Sequence, residues 1–130
     1  MKGESALYLD KARRLAAVAA RLVADRYADD AGRDAYLAVY HAAQAFVFEH
    51  AGHAAKTHNG VHTKFAELAQ NEPRLDDVKI FLPQAYALKA ITDYELGEDA
   101  ALPLERARAA VEKAGQFVAR IAEILESSPF

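Results

Sequence analysis

Residues 35–48, AYLAVYHAAQAFVF, are apolar at every position except His41 and Gln44. Read as a helix, this stretch is hydrophobic around its whole circumference, and such a helix is stable only when covered on most sides. It is the expected centre of a bundle, with the rest of the chain supplying its neighbours. Alanine makes up 30 of the 130 residues. Because alanine loses no side-chain entropy in a helix and lets backbones approach closely, that density points to packed helices rather than sheet. The expected class is all-α, and the length suits a single domain spanning 1–130.

The composition narrows the chemistry. There is no cysteine, so disulfides, Cys-based zinc sites and thiol nucleophiles are excluded. The start, MKGESALYLDKARR, is polar and mixed in charge, unlike a secretory signal. His41, Gln44 and Glu49 interrupt the longest apolar stretches before they reach the ~20 residues that span a bilayer. A cytoplasmic protein with no membrane contact is expected. Residues 1–28 carry a net +3 and the remainder −6, for −3 in all. That balance argues against tight binding to duplex DNA, which needs a basic patch, and leaves local contact with RNA open.

The periodicity predicts a first helix over about 4–27, with Tyr8, Ala12, Leu15, Ala19 and Leu22 inward. ADDAG at 28–32 reads as a break, Asp30 being a capping candidate and Gly32 a flexible point. The central helix follows, to about His50. Residues 51–60 read as a loop, with Thr57 or Asn59 capping a short helix that carries Val61, Phe65 and Leu68. NEPRLDD at 71–77 is another break. A fourth helix is expected over about 76–92 with Phe81, Leu82, Ala85 and Leu88 inward, and Pro83 either kinks it or marks a later start. After a turn-rich link at 93–103, the last helix, over about 103–126, repeats Leu104, Val111, Val118, Leu125 and Ala107, Ala114, Ile121 in two seven-residue series. Short links make neighbouring helices antiparallel, giving a four- or five-helix up-down bundle.

Buried imidazoles and amides without partners cost about 1–3 kcal/mol. His41 and Gln44, three apart and continuous with Leu37 and Tyr40, therefore face a pocket or are satisfied from another helix. For His41 the alternatives are a core histidine bonded to a tyrosine or carboxylate, and a residue of a functional site. His58 and His62 have the i, i+4 spacing that suits metal ligands. The residues between them supply no carboxylate, and a third ligand would have to come from His50, His53, Asp93 or Glu95, so structural roles are expected and no metal is assigned. The glycines are scattered, forming no phosphate loop, and the serines have no neighbouring His or acid. No cofactor is expected. Lys89 and Asp93 form an i, i+4 pair followed by Tyr94.

Four segments in order, DAYLAVYHAAQAFVFEHAG (34–52), AAKTHNGVHTKF (54–65), LKAITDY (88–94) and ERARAAVEKAGQFVARIAEIL (105–125), resemble the small bacterial HEPN domain family. The family pattern is a Tyr-rich helix with F/Y-H-A-A, a K-T-H loop, L-R-x-x-A-D-Y and a long terminal helix. The resemblance implies a helical bundle, often a homodimer, often encoded beside a minimal nucleotidyltransferase in a toxin–antitoxin pair. It implies a nucleotide- or RNA-binding cleft lined by Tyr36, Tyr40, His41, Lys56, Thr57, His58, Lys89, Asp93 and Tyr94. Some relatives are metal-independent ribonucleases that pair an Arg with a His on one helix. By resemblance His41 is that histidine, but the position seven before it is Asp34, and Arg33 lies one residue further, about 100° round the helix. Lys89 stands where relatives carry Arg, which removes bidentate phosphate binding, and Thr92 replaces an Ala. Two alternatives remain beside the nucleotide-binding reading: a non-catalytic dimeric interaction module, and a ribonuclease using His41 with Arg33.

Overall fold

The structure, a computed structural model, describes residues 1–94 and 101–127. Among the described residues there are five α-helices, α1 (Gly3–Ala24), α2 (Ala28–Ala51), α3 (His58–Ala69), α4 (Phe81–Tyr94) and α5 (Leu104–Glu126), and a 3-10 turn at Pro73–Leu75. No strand occurs among the described residues. Nor is any helix among them long and apolar enough to cross a membrane.

α2 is the centre, as its composition requires, and it packs against all four other helices. Its buried positions are mostly small: Ala31, Gly32, Ala35, Ala38, Ala42, Ala43 and Ala45 lie among the larger Tyr36, Val39, Phe46 and Val47. Small side chains let α1 and α5 approach the α2 backbone. They answer with alanines of their own, Ala12 and Ala19 on α1 and Ala107, Ala110, Ala114 and Ala122 on α5. Aromatic rings fill the wider space, Phe65 of α3 standing 5.6 Å from both Phe46 of α2 and Phe117 of α5.

The break between the first two helices falls earlier than the sequence suggests. α1 ends in a Schellman turn: Arg26 N–H donates to the Val23 carbonyl and Tyr27 N–H to that of Leu22, with Arg26 in the left-handed region at φ 68°. This motif satisfies the last carbonyls of the helix and normally recruits glycine. Residues 28–32, expected as a break, are the first turns of α2. Asp29 and Gly32 belong to a different contact. The Asp29 carboxylate accepts the Leu102 N–H at 2.7 Å, and a Cβ on Gly32 would come within 2.7 Å of the Leu102 side chain. Gly32 is therefore a site of close approach, and the chain entering α5 is clasped to the start of α2.

The far end of α2 is fixed by its neighbours. The Glu49 carboxylate accepts the backbone N–H of Lys2 at 2.8 Å, placing a negative charge at the N-terminus of α1, where the helix dipole favours it. Gly52, at φ 79°, closes α2. Gln44, the buried amide, holds the following loop by donating to the Ala55 carbonyl and accepting the Ala55 N–H. Thr57 caps α3, its Oγ1 accepting from Gly60 N–H at 2.9 Å, as expected. α4 begins at Phe81 rather than near 76, so Pro83 sits in its first turn, where a missing N–H leaves no helical bond unmade. Of the expected link at 93–103, residues 95–100 lie outside the described residues.

Candidate functional site

Because the cap at Thr57 starts α3 at His58, His58 and His62 stand one turn apart on the same side of the helix, against α2. Tyr36 of α2 meets both. Its hydroxyl lies 2.8 Å from His58 Nδ1 and 3.0 Å from His62 Nε2. A phenol has one proton, so it donates to one ring nitrogen and accepts N–H from the other, tying the tautomers of the two imidazoles together. Tyr36 is buried, whereas His58 is exposed. Tyr40, one turn along α2, stacks on His58 with ring centres 4.2 Å apart and planes 20° apart. Tyr86 of α4 closes the group, 5.2 Å from Tyr36 and 5.3 Å from His62, with 44% of its surface open to solvent.

The same α2–α4 seam continues into a charged end. Arg33, three residues before Tyr36, donates Nε–H to the Asp93 carboxylate at 3.1 Å and Nη1–H to Asp30 at 2.9 Å. Lys89, three residues after Tyr86, binds the other oxygen of Asp93. Tyr36 beside Tyr86 and Arg33 beside Asp93 show that α2 and α4 run antiparallel here. The seam thus carries rings at one end and an ion cluster one helical turn away.

His41 sits differently. Its ring meets Tyr40 edge-on at 5.2 Å, it is half-buried, and its Nδ1 is a buried atom with no hydrogen-bond partner among the described residues. Among the described residues no tyrosine or carboxylate bonds to that nitrogen. Desolvation, followed by the nearby Lys11 and His58, pulls its pKa down to about 4, so the ring is neutral at pH 7. His62 is lowered by desolvation and by His58. Burial raises the Tyr36 and Tyr40 phenols, keeping them protonated as hydrogen-bond donors. Asp34 is raised by desolvation.

The structure brings together Tyr36, Tyr40 and His58, and separately Arg33, Lys89 and Asp93. Arg33 reaches Asp93 and Asp30 and makes no hydrogen bond to His41. Thr57 spends its hydroxyl on the helix cap, and Lys56 stands exposed just before it. The side chain of Tyr94 lies outside the described residues. Among the described residues no three His, Cys, Asp or Glu side chains gather as a metal site. Sequence reasoning missed Tyr86, an aromatic on an otherwise ordinary stretch of α4, and the junction of His62 with Tyr36. Beside His62 a groove of about 470 Å³ opens between α3 and α4, lined by Phe65, Ala66, Ile80, Leu82 and Pro83 among others.

Fold and site together define an all-α bundle in which the tyrosines of the central helix meet the histidines of α3. The HEPN domain family model matches residues 5–126, nearly the whole chain, and the protein belongs to the HEPN domain family. No curated protein matches the chain.

Proposed function

We propose that this HEPN-domain protein binds a nucleotide or an RNA end on the face formed by Tyr40, His58 and Tyr86, and acts with a minimal nucleotidyltransferase partner as part of a toxin–antitoxin pair. The observation that carries the reading is the Tyr40–His58 stack at 4.2 Å, held from below by the Tyr36 hydroxyl. Flat π surfaces fixed in place and open to solvent stack on bases, at about 1–3 kcal/mol per base. Lys56, exposed two residues before His58, adds a positive charge beside the loop that leads into the face. Family membership supports the nucleotidyltransferase, the homodimer and a cytoplasmic setting for one HEPN-like unit over 1–130.

Binding is favoured over cleavage. A ribonuclease needs a cation beside its histidine to stabilise the phosphorane, whereas Arg33 is committed to two carboxylates and His41 has one nitrogen sealed inside the bundle. The test is a panel of ribonucleotides and short single-stranded RNAs measured by calorimetry. His58→Ala and Tyr86→Ala are each expected to weaken binding about tenfold, the loss of one stacking contact. Failure of every nucleotide and RNA to bind overturns the reading.

A second reading, a non-catalytic interaction module, is favoured by Ile80, which is 58% exposed on the rim of the α3–α4 groove. It expects Ile80→Glu to weaken self-association in sedimentation and leave nucleotide affinity unchanged.

A further inference from the structure

Asp93 is, among the described residues, the one carboxylate bridged by cations from two different helices. One oxygen takes Arg33 of α2 and the other takes Lys89 of α4, the arrangement two phosphate oxygens would adopt between the same donors. Both cations stay within reach of solvent, with 37% of the Arg33 side chain and 22% of the Lys89 side chain exposed. We propose that Arg33 and Lys89 form a phosphate subsite which the protein keeps filled with its own Asp93 carboxylate, so that an entering phosphate must displace Asp93.

The proposal rests on the nucleotide-binding reading for the identity of the ligand, and its geometry suits that ligand. Along the helix axes Lys89 lies about one turn, roughly 5 Å, from Tyr86 of the stacking face, and Arg33 about two turns, roughly 10 Å, from Tyr40. A base stacked at the ring end therefore places its phosphate near the ion cluster. The charge balance explains why the subsite is closed at rest. With Asp93 and Asp30 in place the two cations are neutralised; with Asp93 swung out to solvent, one positive charge is uncovered. Lys89 and Arg33 hold the Asp93 carboxyl below its ordinary pKa, so it remains a full competitor at neutral pH. The device restrains phosphate binding without blocking the stacking face.

Inorganic pyrophosphate, which has no base to stack, probes the subsite alone. At low ionic strength Asp93→Asn is expected to bind it about tenfold more tightly than the parent protein, because a neutral amide no longer competes for two charge-assisted hydrogen bonds. Adding Arg33→Gln to that variant is expected to abolish the gain. An Asp93→Asn protein that binds no more tightly, or a gain that survives Arg33→Gln, overturns the proposal. In the parent protein, saturating pyrophosphate is expected to shift the Arg33 Nε–H resonance, and an unmoved resonance also overturns it, whatever the folding of the variants. His58→Ala separates the two ideas. It weakens nucleotide and spares pyrophosphate, so pyrophosphate binding without nucleotide binding removes only the stacking reading, and nucleotide binding without the Asp93→Asn gain removes only the subsite.

Discussion

The two sides of α2 are built on different principles. Toward α1 and α5 the packing is apolar and mixes small with large side chains, Ala12, Ala19, Ala107, Ala110 and Ala114 lying buried among Leu9, Phe117, Val118 and Ile121. Toward α3 and α4 they are rings and hydrogen bonds: Tyr36 with His58 and His62, Tyr40 on His58, Tyr86 across the seam. Apolar packing of this kind follows from how closely two backbones approach and asks little of polar groups, the buried Ser5 Oγ of α1 standing apart with no hydrogen-bond partner among the described residues. The ring side holds polar atoms in a half-dry setting, where an unpaired one is costly, and most of them are paired through the Tyr36 hydroxyl. The first kind of surface makes a rigid frame; the second is able to exchange its partners for a ligand.

Four substitutions probe that contrast. The largest effect is expected where both sides share a ring: Phe117→Ala removes a fully buried aromatic of α5 that meets Phe65 of α3, at a cost of about 3–5 kcal/mol in urea unfolding. A loss under 1 kcal/mol would show that the frame does not depend on its link to the ring side. Tyr36→Phe keeps the ring and deletes the hydroxyl shared by two imidazoles. Leaving the half-buried His62 nitrogen unpaired costs about 1–3 kcal/mol, and nucleotide affinity falls with it; unchanged stability would mean water replaces the hydroxyl without loss.

A pH titration of stability comes next. The His41 pKa is about 4 in the folded chain against about 6.5 unfolded, so between these values the unfolded state binds the proton first. Its contribution is fully present above about pH 6.5 and is lost as pH falls toward 4. His41→Gln is expected to flatten that limb of the curve, and an unaltered limb would assign the acid sensitivity to His62 instead. The smallest effect belongs to the frame alone. Arg26→Gly relieves the left-handed φ of 68° and is expected to raise stability by about 0.4–1 kcal/mol, read as a higher urea midpoint; destabilisation would show that the Arg26 side chain holds the turn.

The same division decides how much could be read in the sequence. The frame is legible because helical period and alanine density are local properties: α2 as the central helix, the Thr57 cap and the inward series of α5 follow from neighbouring residues. The 28–32 segment misleads for the opposite reason. Asp29 and Gly32 have the residue types of a turn, yet their roles are set by Leu102, seventy-odd positions away. The ring face is only half legible. Tyr36, Tyr40 and His58 are marked by motif resemblance, while Tyr86 joins them through a crossing of α2 and α4 that no periodicity encodes. The resemblance pairs Arg33 with His41, whereas its bonds go to Asp30 on α2 and to Asp93 on α4.

The clasp of Asp29 on Leu102 has a kinetic meaning. α1 and α2 are joined by three residues, so their pairing closes almost no loop, whereas the clasp closes one that encloses α3 and α4, at an entropic cost that grows as (3/2)RT ln n with loop length. Contacts that span so much chain form after local ones. A contact that closes only after the local pairings slows unfolding without hastening folding, and the sequence separation of the clasp suits it to that part. Asp29 and Gly32 are placed as a latch would be, across the loop that encloses α3 and α4.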